Sequence, residues 1–307
     1  MILCCGEALI DMLPRETAAG ETAFAPYAGG AVFNTAIALG RLGSRTGFFS
    51  GLSSDLFGDI LREALTASQV DAGPAHVSDR PTTLAFVKLT DGQAQYSFYD
   101  ENTAGRMLTA ADLPQDMAGV DALFFGGISL MVEPCAAAYE ALAAREAAQR
   151  VIMLDPNIRP SFIADRAAYG ERLDRMIARA DIVKLSDEDL HWIHGPGDTD
   201  ALAEALLTRG PSVVLITRGG EGATGYTARG RVSVASHRVE VADTVGAGDT
   251  FNAGVLHSLQ AEGLLTKDAL AGLDPEALRP ALEMGSAAAA ITVSRAGANP
   301  PWASELA

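Results

Sequence analysis

Three cysteines in 307 residues are too few for a disulfide scaffold. Cys4 and Cys5 are adjacent in an apolar N-terminal run, and with Cys135 they read as buried free thiols. Histidine is scarce as well. His76, His191, His194, His237 and His257 form no HExxH and no paired Cys/His spacing, so no zinc centre is expected. Basic residues are outnumbered, 23 Lys and Arg against 39 Asp and Glu, for a formal charge of −16. That balance makes the chain a poor candidate for binding nucleic acid or an anionic membrane, where clustered cations supply the affinity. No window is long and apolar enough to span a bilayer, and no basic segment leads into an apolar one at the N-terminus. The expected location is the cytoplasm. Internal repeats, low-complexity tracts and interdomain linkers are also absent, so one domain over 1–307 is expected.

Two nucleotide signatures are missing. There is no GxxxxGK[ST] loop, and Gly246-Ala247-Gly248 fails to continue as GxGxxG because Phe251 occupies the third glycine position. A dinucleotide-dependent oxidoreductase is therefore a distant reading.

What is present is hydrophobic, 48% of the chain, and ordered as alternating strands and helices. Met1–Cys5, Thr46–Ser50, Ala122–Phe125, Val151–Leu154, Ile182–Leu185 and Val213–Thr217 read as strands. The later ones are continuously apolar, as strands covered on both faces are. Helical spacing falls at 133–149, 166–179 and 199–208. The pattern predicts an α/β fold: a doubly wound, mostly parallel sheet flanked by helices. Ligands of such sheets sit beyond the C-terminal strand ends, where Gly126-Gly127, Asp155–Arg159, Lys184–Ser186 and Thr217–Gly220 fall. Residues 11–30 and 80–105 break the alternation. The second reads as a hairpin with Asp91-Gly92 at its turn. Together they form either a small β-sheet lid over the strand ends or an edge that extends the main sheet.

Two glycine-rich segments carry the chemistry. Behind Gly246-Ala247-Gly248, the residues Phe251, Val255 and Leu259 recur at helical spacing, so a helix begins at the turn. Its first N–H groups lack internal partners and, with the positive end of the dipole, form an anion site suited to phosphate. Asp249 stands inside that site. An acid there makes sense if it takes the proton of a hydroxyl attacking the phosphate. The second segment, Gly29-Gly30 followed by Asn34, lets backbone approach a ligand closely and offers an amide suited to a neutral polyol; equally it is a tight strand-to-helix turn.

Both segments resemble signatures of the ribokinase-like, or phosphofructokinase-B, carbohydrate kinases. D-T-x-G-A-G-D-x-F stands at 243–251 and G-G-x-x-x-N-x-A-x-x-L-x-x-L-G at 29–43. The resemblance covers essentially the whole chain. It implies that Asp249 is the catalytic base and that Gly246, Ala247 and Gly248 form the anion hole. It implies that Asp11, Gly29, Gly30 and Asn34 hold the sugar under a lid formed by 11–30 and 80–105. On the ATP side it implies Lys184, Ser186, Thr217, Gly219 and Gly222, with Ser286 on the helix beside the adenine. The family's N-x-x-E motif, linked to magnesium, appears as Ser186-Asp187-Glu188-Asp189; Asp189, through water, or Glu188 fills the acidic position, and an acidic first helical turn fits the same residues. Some relatives hold a monovalent cation at positions matching Asp243 and Val245, which adds K⁺ to the expected ATP and Mg²⁺. The lids of this family often pair into homodimers.

Within the family, Gly126–Cys135, Asp155–Arg159 and the strand from Arg80 resemble fructokinases. That likeness places the lid aromatic Phe98 beside the sugar; Arg159, just past a strand end, is expected to meet the sugar or the phosphate being moved, with a salt bridge anchoring its loop as the plainer role, and the displaced Arg106 is expected to reach the pocket from another turn. The fructokinase Arg-Asn-Pro after the lid aromatics is absent, and Asp100 and Glu101 stand in its place. The expected reaction is phosphorylation of fructose to fructose 6-phosphate. A 2-keto-3-deoxygluconate kinase is the alternative enzyme, and an inactive sugar or nucleotide sensor of the same fold is the alternative outside enzymes.

Overall fold

The computed structural model describes residues 1–90 and 93–306; for 88–90 and 93–96 the backbone alone is described. Among the described residues, nine strands form one sheet in the spatial order Gly230–Val234, Ala223–Thr227, Val213–Thr217, Ile182–Ser186, Val151–Asp155, Ala122–Gly126, Ile2–Cys5, Thr46–Phe49 and Val70–Asp71. The strands from Val70 to Val213 across this sheet pair in parallel. Ala223–Thr227 and Gly230–Val234 add an antiparallel edge that sequence reading did not anticipate. The strand interiors are buried throughout, which is why they read as unbroken apolar runs.

The helices are α1 (Ala31–Arg41), α2 (Leu56–Ala67), α3 (Cys135–Glu146), α4 (Arg166–Ile177), α5 (Asp187–His194), α6 (Thr199–Leu207), α7 (Ala247–Ala261), α8 (Lys267–Ala271) and α9 (Pro275–Val293). Leu39, Leu65, Leu256, Leu270 and Leu282 place α1, α2 and α7–α9 on one face of the sheet. Tyr139, Leu173, Leu190 and Leu206 place α3–α6 on the other. The expected helix from 133 starts later, at Cys135, because Pro134 has no N–H to give and biases Glu133 away from helical backbone. The backbones of α7 and α9 touch where two glycines meet: a Cβ on Gly254 would lie 2.6 Å from Gly285 Cα, so any larger side chain there drives the helices apart.

A second sheet has the order Thr22–Gly29, Leu9–Glu16, Leu84–Thr90, Gln93–Tyr99. Among the described residues, the strands of the 11–30 and 80–100 segments therefore form a separate small sheet, not an extension of the main one. The Asp91-Gly92 turn lies outside the described residues. Asp55, the N-cap of α2, ties this sheet to the body. Its Oδ1 accepts the N–H groups of Phe57 and Gly58 and the Thr82 hydroxyl at 2.7 Å, while Oδ2 accepts the Thr82 N–H at 2.9 Å.

Candidate active site

The parallel strands end on one side of the sheet, and the polar residues that follow them converge there with the start of α7. Gly246 adopts φ 79°, a left-handed backbone that glycine reaches without strain. It turns the chain so that α7 opens with Ala247, Gly248 and Asp249 in its first turn. Asp249 is 7% exposed. Asn34 of α1 donates its amide N–H to Asp249 Oδ2 at 2.9 Å, and the Thr35 hydroxyl donates to the Asp249 carbonyl at 3.2 Å. Burial pushes the Asp249 carboxyl up to about 7; the Asn34 hydrogen bond and the Lys184 charge oppose that rise, and the Asp155 and Glu7 charges add to it. A carboxylate poised near neutrality at the N-terminus of a helix is suited to accept a proton while the helix N–H groups receive negative charge.

One wall of this centre is built by close packing. A Cβ on Gly29 would lie 2.3 Å from Asp11 Oδ2, so Asp11 lies across the Gly29 backbone and a side chain at 29 would displace its carboxylate. Gly30, at φ 110°, faces the Glu7 carbonyl, 2.9 Å from where its Cβ would be. Burial pushes Asp11 up to about 6. Asp11, Asn34 and Asp249 thus share one wall, through Gly29 and the Asn34 bond. Phe98 packs edge-on against Phe162, ring centroids 4.3 Å apart. Arg159 is exposed just beyond the Val151–Asp155 strand, its guanidinium donating to the Ile158 carbonyl at 3.0 Å. Arg106 lies in a cleft of about 950 Å³ between the small sheet and α4 that Phe98 and Phe162 also line. There it donates to the Glu133 carbonyl at 3.1 Å and approaches Asp100 Oδ2 at 3.6 Å.

On the opposite side, Lys184 is buried, and its ammonium meets Asp155 Oδ2 at 3.0 Å. A Cβ on Gly248 would lie 3.1 Å from that ammonium, so the cation sits against the first turn of α7. Ser186 caps α5 by accepting the Asp189 N–H at 3.0 Å. Asp189 faces inward and accepts the Ile158 N–H at 3.2 Å, whereas Glu188 is exposed. Burial and the Asp155 charge raise the Asp189 carboxyl against the opposing pull of Lys184 and two hydrogen bonds. A cation nearby would relieve that cost, so Asp189 fits a water-mediated magnesium role better than Glu188. Among the described residues no cluster of three or more His, Cys, Asp or Glu could hold a metal unaided.

Thr217 ends its strand and leads into Gly219, φ 49°, and Gly222, φ 106°. A Cβ on Gly222 would lie 2.1 Å from the Val234 carbonyl, so this turn packs directly on the antiparallel edge. Ser286 in α9 donates to the Ala235 carbonyl at 3.3 Å, beside a cleft of about 550 Å³ lined by Ala235, His237, Met284 and Ala287. Asp243 joins two loops: Oδ1 accepts the Val245 N–H and Oδ2 the Gly297 N–H, each at 3.0 Å.

Sequence reading assigned no role to three residues that the fold brings into this centre. Glu7 is buried and accepts the N–H groups of Ala31 at 2.9 Å and Ser129 at 3.2 Å, clamping the start of α1 to the Gly127 turn. Asp155 holds Lys184, and Asn252 donates to the same Asp155 oxygen at 2.7 Å. Position at a strand end was the available signal for Asp155; nothing local marks Glu7 or Asn252.

A buried carboxylate in the opening turn of a helix, held by a neighbouring amide, is the arrangement expected of a phosphotransferase for an alcohol acceptor on a ribokinase-like fold. The chain belongs to the pfkB family of carbohydrate kinases, whose model matches residues 1–305. It is 61% identical over 279 residues to a fructokinase of Rhizobium leguminosarum bv. trifolii, covering 91% of this chain and 86% of that one. Among solved structures, a fructokinase with bound ATP from Xylella fastidiosa superposes with a TM-score of 0.90 at 31% identity, covering 99% of this chain and 96% of that one. A Vibrio cholerae fructokinase in fructose-, ADP- and calcium-bound form matches with a TM-score of 0.83 at 25% identity, covering 97% and 94%. No helix among the described residues is long and apolar enough to cross a membrane.

Proposed function

We propose that this chain transfers the γ-phosphoryl group of ATP to the C6 hydroxyl of fructose, giving fructose 6-phosphate and ADP. The observation that carries the reading is the buried Asp249, held by Asn34 inside the opening turn of α7. The named relatives supply the sugar.

Asp11 and Asn34 accept and donate hydrogen bonds to the sugar hydroxyls, with Phe98 forming an apolar wall. The hydroxyl oxygen bonds to the γ-phosphorus as the bond to the β–γ bridging oxygen breaks, and the proton passes to Asp249. The N–H groups of 246–248 and the Lys184 ammonium face the charge that spreads over the transferring group. Asp189 would hold Mg²⁺ through water, and the ion would supply charge neutralisation at the phosphates. The Thr217–Gly222 turn takes the phosphates, and the cleft beside Ser286 takes the adenine. The loops joined by Asp243, with the Val245 backbone, would hold a monovalent cation.

The small sheet serves as a lid, hinged where Asp55 grips Thr82, that excludes water from the reaction. It also offers an aromatic row. Phe24, 43% exposed, meets Phe86 at 5.0 Å between centroids, and Phe86 meets Tyr99, 63% exposed, at 5.5 Å. That row favours pairing of two lids in a homodimer. Use of ATP as donor supports a cytoplasmic location.

The test is ADP release over a panel of fructose, 2-keto-3-deoxygluconate, ribose, tagatose 6-phosphate and nucleosides. Fructose should give the highest kcat/KM. A strong preference for 2-keto-3-deoxygluconate, or ADP release that no sugar stimulates, overturns the reading.

A further inference from the structure

The Lys184 ammonium occupies an electrostatically odd position. It is buried and lies against the first turn of α7, where the helix dipole is itself positive. Two like-signed features converge where no solvent screens them. Among the described residues, Asp155 is the one hydrogen-bond partner of Lys184, which leaves two of the three ammonium donors for an arriving anion.

Asp155 does more than neutralise the cation. Its Oδ2 also accepts from Asn252 Nδ2 at 2.7 Å, one turn after Asp249 on α7. Asn252 is fully buried, and its own Oδ1 has no partner among the described residues, so Asp155 alone fixes which way the amide points. The other Asp155 oxygen accepts the Asn157 N–H at 3.2 Å and shapes a turn in which Asn157 takes φ 43°, leading to Arg159. One side chain at the end of one strand thus joins the cation, the helix of the base and the loop beside the sugar.

We infer that Asp155 is a positioning residue for phosphoryl transfer: it holds the Lys184 ammonium against the anion hole, and its loss acts on turnover through Lys184. This rests on the reading of the site as a sugar kinase with Asp249 as base. Asp249 is faced by Asn34 of α1, by Glu7 after the first strand, and by Asp155 and Lys184. From α9, Thr292 meets its neighbour Thr250 and brings no charge. Removing the Asp155 charge lowers the acidic limb of the pH–rate profile, and removing the Lys184 charge raises it.

The experiment is a double-mutant cycle with Asp155→Asn and Lys184→Met, reading kcat and KM for fructose and the pH profile of kcat/KM. Each single variant should lose about 10–100-fold in kcat, and the double variant should fall within about threefold of the worse single one, because the two residues act as a unit. The two limbs should move in opposite directions. Losses that multiply in the double variant, or limbs that stay in place, overturn the inference. Should Asp155→Asn fail to fold, Lys184→Met decides: an acidic limb that does not rise refutes the role. Asp249→Asn separates this from the parent reading. A limb that persists in that variant refutes the base assignment, while the coupling in kcat stands or falls by itself.

Discussion

Replacing Asp249 with Asn removes a carboxylate that folding must strip of water. Burial lifts this carboxyl from the ordinary carboxylate range to about 7. A raised folded-state value means that the folded protein binds a proton the unfolded chain has already released. The favourable contribution of this carboxyl is therefore complete below the unfolded value near 4 and is lost as pH rises through about 7. A shift of about three units, at 1.36 kcal/mol each, sets a ceiling of roughly 4 kcal/mol on the penalty above neutrality. Asn at 249 carries no charge and still presents an oxygen to Asn34. The variant should match wild type in urea unfolding at pH 4 and exceed it by a few kcal/mol at pH 8, while turnover with fructose falls about 10²–10⁴-fold or more. Sugar and ATP binding should remain. A variant less stable than wild type by the same margin at both pH values refutes the electrostatic argument, and near-normal turnover refutes the role as base.

In wild type, kcat/KM for fructose should fall tenfold per pH unit below about 7, the value burial gives Asp249; a flat profile down to pH 5 contradicts this. Gly29→Ala sets a methyl 2.3 Å from Asp11 Oδ2, so KM for fructose should rise about tenfold or more while ATP binding is preserved, read by steady-state kinetics and calorimetry. Gly248→Ala brings its Cβ to 3.1 Å from the Lys184 ammonium and should lower kcat with little change in the sugar KM. Chelation by EDTA should abolish ADP release and added Mg²⁺ restore it; Asp189→Asn should raise the Mg²⁺ concentration required, whereas Glu188→Gln, on the exposed side of α5, should not.

The main sheet was legible because strands covered on both faces must be apolar without a break, as Val151–Asp155 and Val213–Thr217 are. The Leu9–Glu16 and Thr22–Gly29 strands were legible as an interruption, not as strands. They contain Pro14 and Pro26 and grow more exposed toward their shared turn, so their pairing is set by each other and not by local pattern. The start of α7 with Asp249 in its first turn was legible because glycines, acid and helix start are contiguous. The Asp155 centre was not, since its partners lie 29 and 97 residues away, and a buried acid in sequence looks like any other. Glu7 was hidden likewise, with Ser129 122 residues distant.

The meeting of Gly254 with Gly285 bears on how such an enzyme changes over evolution. Helices α7 and α9 are locked backbone to backbone, so the helix carrying Asp249 cannot drift when residues elsewhere are exchanged. The small sheet is joined to the body at the Asp55–Thr82 grip and presents Asp11 and Phe98 from outside that locked pair. Substitutions in the small sheet can therefore change the surface that carries Asp11 and Phe98 piece by piece while α7 keeps its register against α9.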